Sequence, residues 1–133
     1  NLAAGKSSIP GYAHSINPLL LQVIATNCQK YSFSLGSQVR TEQTSGGNSV
    51  HPLGLAIDIG KIGSNELGVM DATYRQFLLD TQAIFQQSGS QCRLGVWPAL
   101  VNEVKGFISY CTVFADAGTG PHLHIALPRS AGT

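Results

Sequence analysis

The segment Leu53-Gly54-Leu55-Ala56-Ile57-Asp58-Ile59 places a carboxylate inside an apolar, strand-forming run. Leu53, Leu55, Ile57 and Ile59 alternate onto one face, and Gly54, Ala56 and Asp58 onto the other. An aspartate buried without a partner costs several kcal/mol, so the fold around this strand must supply Asp58 with a cation, hydrogen-bond donors or water. Whatever covers the Asp58 face is therefore polar, and whatever covers the Ile57 face is core.

Two helices supply that core. Asn17-Pro18 opens the first, with Asn as N-cap and Pro at the first helical position. Leu20, Val23, Ile24, Cys28 and Tyr31 give it an apolar stripe as far as about Ser32. Asp71 caps the second, whose stripe is Tyr74, Phe77, Leu78, Ile84 and Phe85, and Gly89 is placed to end it. Residues 1–15 read as an extended arm broken by Gly5, Pro10 and Gly11. Further strands are expected over 37–42, 92–97, 107–114 and 122–127, with loops over 44–48, 60–68 and 116–121. The order is helix, two strands, helix, three strands. It predicts an α+β fold in which a mainly antiparallel sheet carries two main helices. The whole of 1–133 fits a single domain.

Eight basic and seven acidic residues leave a net charge of +1. That balance provides no field for nucleic acid or an anionic membrane surface. No apolar run reaches the roughly 20 residues of a membrane helix, so neither nucleic acid binding nor membrane insertion is expected. Charged residues are only 11%, against about 25% in ordinary soluble domains, which points to an extracytoplasmic setting. The chain starts at Asn1, which suits a processed product or a domain of a larger envelope or virion protein. Cys28, Cys92 and Cys111 form no C-x-x-C pair, which argues against a cysteine zinc site. They are either buried free thiols or one disulfide with a cysteine left over; Cys92 and Cys111, each beside a strand-like run, are the pair to expect.

Three of the four histidines fall in two short segments, Ser49-Val50-His51-Pro52 and Pro121-His122-Leu123-His124. Strand alternation sets His122 and His124 on one face. If their strand pairs with that of Asp58, the two histidines, His51 and Asp58 converge. Imidazole nitrogens and a carboxylate oxygen are the donors of a catalytic zinc site, which keeps one position open for water. The same His-x-His read alone is an ordinary exposed or structural pair, and Asp58 could instead face solvent.

These residues resemble a known family. Ser49 to Asp58 fits S-x-H-x-x-G-x-A-x-D, a signature of the D-Ala-D-Ala metallopeptidases of the Hedgehog/DD-peptidase fold, and His122 to His124 fits the H-x-H of the same broader group. The resemblance implies a zinc peptidase that hydrolyses an amide bond in peptidoglycan stem peptides or cross-bridges. His51, Asp58 and His124 would be the zinc ligands and His122 the catalytic histidine. Arg40, in Val-Arg-Thr-Glu-Gln, is similar to the arginine that relatives present to a substrate carboxylate or oxyanion. Ser49 would bond substrate or shape the turn. Periplasm, cell envelope or phage virion are the locations this implies.

One departure stands out. Several branches of the family set a glutamate shortly before the last ligand as general base, where this chain has Gly120-Pro121-His122-Leu123. Either His122 takes over that role or an acid comes from elsewhere, Asp116 ahead of Glu103. A non-catalytic peptidoglycan- or protein-binding module of the same fold is the alternative reading, and a structural envelope or virion protein with incidental histidines is a third.

Overall fold

The computed structural model describes residues 17–35, 56–118 and 120–128. Its elements run α1 (Pro18–Cys28), β1 (Phe33–Leu35), β2 (Ala56–Ile62), α2 (Ala72–Ser88), β3 (Arg93–Val96), a 3-10 turn (Pro98–Leu100), α3 (Val101–Lys105), β4 (Thr112–Ala115) and β5 (Leu123–Ala126). The strands form one open sheet in the order β1-β2-β5-β3-β4. All neighbours are antiparallel except β3 and β4. The fold is thus α+β with a mainly antiparallel sheet. The expected arm over 1–15, the strand over 37–42 and the loop over 44–48 lie outside the described residues.

Local chemistry sets both long helices. Asn17 Oδ1 accepts from the Leu19 N–H at 2.9 Å, with Pro18 at the first helical position. The Asp71 carboxylate accepts from the Tyr74 N–H at 2.7 Å. At the other end of α2, Gly89 adopts φ 73° and Ser90 N–H returns to the Phe85 carbonyl. That left-handed residue is one a side chain would disfavour.

Register divides the sheet into two faces. Ile57 pairs with Ile125, which pairs with Leu94, which pairs with Val113. All four are buried and share one core with Leu20, Val23, Phe77 and Phe85 of the helices. The adjacent row, Asp58, His124, Gly95 and Phe114, points to the opposite face. A carboxylate, an imidazole, a glycine and an aromatic ring therefore stand side by side across four strands.

Several boundaries differ from expectation. α1 ends at Cys28 rather than near Ser32, where the N–H groups of Gln29 and Lys30 tighten onto the Thr26 and Asn27 carbonyls three residues back. The buried face of α1 is Leu20, Leu21, Val23, Ile24 and Asn27, and Cys28 is exposed. Asn27 turns inward because its Nδ2 donates to Thr81 Oγ1 at 3.0 Å, bridging α1 to α2. β2 continues to Ile62, beyond the expected Ile59, since β1 pairs along that extension. β4 begins at Thr112 rather than at residue 107. Gln82 Oε1 accepts from the Tyr110 N–H at 2.8 Å, so an α2 side chain serves that backbone instead of a strand. The helical stretch from Pro98 to Lys105 had no counterpart among the expected elements.

Cys92 and Cys111 form a disulfide. It ties the start of β3 to the start of β4 and closes the crossover between these parallel strands. Among the described residues no helix is long and apolar enough to cross a membrane.

Candidate metal and proton-transfer site

Pairing of β2 with β5 sets Asp58 directly opposite His124. His124 Nδ1–H donates to Asp58 Oδ1 at 3.0 Å. The Asp58 side chain is only 8% exposed and that of His124 14%. So a carboxylate and an imidazole meet where water cannot screen them, which resolves the cost of burying Asp58. His124 also stands 4.0 Å from Asp116 Oδ2 and edge-on to Phe114, ring centroids 5.8 Å apart.

His122 lies one residue before β5, with both ring nitrogens engaged. Nδ1 faces the Gly120 carbonyl oxygen at 2.9 Å, and Nε2 faces Asp116 Oδ2 at 3.2 Å. Two acceptors flank the ring, so donation at both nitrogens requires the imidazolium. Burial works against that charge, but the Gly120 carbonyl and the nearby Asp116 and Asp58 carboxylates outweigh it. They hold the His122 imidazole above its usual range. A divalent cation beside Asp58 and His124 would act in the opposite direction.

Asp116 is placed by the backbone that follows β4, where its N–H donates to the Val96 carbonyl at 2.8 Å. Gly95 makes the space. A Cβ there would lie 2.8 Å from Phe114 Cζ and 3.0 Å from Asp116 Cβ. Gly118 has the same relation to His122, with a Cβ falling 2.6 Å from the ring. Asp116, Gly118 and Gly120 therefore lie close around the imidazole.

The structure joins four of the expected residues: Asp58, His124, Asp116 and His122. His51, Arg40 and Ser49 lie outside the described residues. Glu103 stands exposed in the first turn of α3. Gly95 and Phe114 were not expected at the site. The signal was a glycine in mid-strand, Arg93-Leu94-Gly95-Val96, which leaves room for whatever the neighbouring strand presents.

Zinc suits the donors present. In His124 and Asp58 a proton bridges an imidazole nitrogen and a carboxylate oxygen, and a metal ion can take that proton's place. Two donors on one tetrahedral zinc stand roughly 3.4 Å apart, a few tenths of an ångström wider than this contact. Among the described residues no three His, Cys, Asp or Glu side chains form a group able to hold a metal ion. A complete ligand set therefore needs a further donor, the role expected of His51.

No protein-family model, curated protein or solved structure matches the chain.

Proposed function

We propose that this chain is a zinc-dependent peptidase of the Hedgehog/DD-peptidase kind that hydrolyses an amide bond in peptidoglycan stem peptides or cross-bridges. The observation that carries this reading is the buried Asp58–His124 pair with the His122–Asp116 pair beside it. Asp58 and His124, with His51, would hold the ion. When bound, zinc supplies a Lewis acid for the scissile carbonyl and a water acidic enough to attack at neutral pH.

The chain's own residues do the rest. His122 would serve the reacting centre through the N–H that faces the Gly120 carbonyl, exchanging that acceptor for the carbonyl oxygen of the substrate. It stabilises negative charge developing on the carbonyl oxygen and passes a proton to the departing amine. Asp116 keeps the imidazole oriented and favours its charged form, the service an acid renders a catalytic histidine. With His122 charged, Asp116 is the group left to accept the proton of the attacking water, the work of the glutamate other branches carry before the last ligand. Arg40 and Ser49 would hold the substrate, Arg40 through a bidentate contact to a carboxylate. The disulfide fits an oxidising compartment, consistent with action in the periplasm, the envelope or a phage virion, within a larger protein of one of these.

Purified muropeptides test the reading. The zinc-loaded protein should shorten them, a chelator should stop the reaction, and added zinc should restore it. Intact muropeptides in every condition would contradict catalysis and leave the binding module of the same fold.

A further inference from the structure

We propose that the Cys92–Cys111 disulfide is a positioning device for the site, a clasp that holds Asp116 on His122 and that closes only once the chain has been oxidised. Its effect on turnover rests on the function proposed above; the clasp itself rests on the strands that the disulfide joins.

β4 is the outermost described strand on its side of the sheet and pairs with β3 alone among the described strands. It is four residues long and parallel to its neighbour, the weaker of the two pairing modes. Yet it carries two groups of the site. Phe114 stands edge-on to His124, and the strand runs directly into Asp116, whose Oδ2 lies 3.2 Å from His122 Nε2. That separation is at the outer end of the hydrogen-bond range, so a slip of about half an ångström along β3 breaks the contact.

Both ends of β4 are fastened to β3. At the far end the Asp116 N–H donates to the Val96 carbonyl at 2.8 Å. At the near end Cys111, one residue before β4, is bonded to Cys92, one residue before β3. The Thr112 N–H donates to the Cys92 carbonyl there at 3.0 Å. Gln82 and Ser90 reach the same end through hydrogen bonds from Tyr110 and Cys111, and the disulfide is the covalent tie among these contacts. Phe114 and Asp116 fill the space over Gly95, where a Cβ would fall 2.8 Å from the one and 3.0 Å from the other. A displaced β4 therefore moves both together.

A chain held in a reducing compartment carries two thiols here instead. Closure removes two protons and two electrons from them as the S–S bond forms, and a disulfide-bearing oxidant takes both up and becomes a dithiol. Cys92 and Cys111 are 2% and 5% exposed, so dissolved thiols do not reach the bond once it has formed. The clasp thus acts as a one-way step of maturation. The site gains its acid after the chain leaves a reducing compartment, and keeps it.

The test separates the clasp from a general loss of stability. Cys92→Ala/Cys111→Ala is compared with Thr81→Ala, which breaks the Asn27–Thr81 bond between the helices and weakens the fold away from β4. Nitrogen-labelled His122 ring signals are recorded at one pH and well below both melting temperatures, with Asp116→Asn in the oxidised protein as the reference for a lost contact. Signals of the alanine pair should move most of the way to that reference, and those of Thr81→Ala should stay with wild type. Wild type refolded under a phosphine reductant should match the alanine pair until oxidised glutathione restores it. Muropeptide turnover by the zinc-loaded proteins should fall about tenfold or more in the alanine pair and hold in Thr81→Ala. Unmoved ring signals or full turnover in the alanine pair, or an equal shift in Thr81→Ala, would overturn the clasp. Should the alanine pair fail to fold, Cys92→Val/Cys111→Ala restores the lost sulfur volume. Failure of both pairs would make the disulfide a requirement of the whole fold and overturn its particular role at the site. Ring signals that shift as expected in proteins that cleave nothing would leave the clasp standing and refute the peptidase.

Discussion

His122 Nε2 lies 3.2 Å from Asp116 Oδ2, while the opposite ring nitrogen faces the Gly120 carbonyl. The imidazole is held from both sides, and only the Asp116 contact can be removed without touching the backbone. Asp116→Asn should therefore keep zinc at one equivalent and lower kcat about 10- to 100-fold, the usual effect of losing an outer partner of a site. Zinc assay beside muropeptide kinetics checks this. Unchanged kcat would show that Asp116 only shapes the loop.

The two histidines should separate cleanly. His124→Ala removes a donor facing Asp58 and should lose zinc and activity together. His122→Ala leaves that pair intact and should retain zinc while losing most turnover. Metal retained in the first variant, or full rate in the second, would reverse the assignment.

Gly95→Ala tests how tightly the site is built. Its new Cβ would press on Phe114 Cζ at 2.8 Å and on Asp116 Cβ at 3.0 Å. Overpacking of this kind costs about 1–3 kcal/mol, and the half-buried Phe114 ring can yield more readily than the backbone after β4. The melting temperature should fall, and the added change Phe114→Ala should recover part of the loss. A Gly95→Ala variant as stable and active as wild type would show that the row tolerates a side chain.

A pH effect arises far from the site, between the helices. Burial pushes the Asp80 carboxyl upward, but hydrogen bonds from Tyr31, Gln76 and Lys30 prevail and hold it below its ordinary value. A carboxylate depressed in the folded state stabilises above its unfolded pKa, and that stabilisation is lost as pH falls through the folded value. Asp80→Asn should lower the melting temperature at pH 7, and by less at about pH 2, below the ordinary carboxylate range. Equal losses at both pH values would mean the contact acts through shape alone.

The disulfide closes a loop with a sequence separation of 19. Loops near that size are worth about 3 kcal/mol through restriction of the unfolded chain. Replacing Cys92 and Cys111 by alanine should lower the unfolding free energy by about that amount and loosen the β3–β4 crossover, measured by denaturant titration. An unchanged midpoint would remove the disulfide from the stability account.

Much of this was legible in the residues, and the exceptions have physical causes. Asn17, Asp71 and Gly89 marked helix ends because capping is local chemistry, readable at one position. Asp58 and His124 could be placed on their strands by alternation, although their pairing needed the register of β2 on β5. The strand β1 escaped notice because three residues with a register shift between Ser34 and Leu35 carry no period. The residues from 107 to 111 read as strand by composition, yet the Phe107 and Ile108 amides turn back to the Val104 carbonyl, and those of Tyr110 and Cys111 go to Gln82, a contact 28 residues distant for Tyr110. Cys28 fitted the helical stripe by spacing, but the Asn27–Thr81 bond turns the helix and leaves the thiol outside. Asp116 could be named as a candidate acid, while its grip on His122 depends on the room at Gly95, visible only once the strands are side by side.

The central claim is that Asp58 and His124 share one metal ion. A diffraction map collected at the zinc edge from crystals of zinc-loaded protein tests it most directly. The account predicts a single strong anomalous peak about 2.0–2.2 Å from an Asp58 carboxylate oxygen and from a His124 ring nitrogen. A map with no peak between them, or with zinc bound only elsewhere, would contradict it.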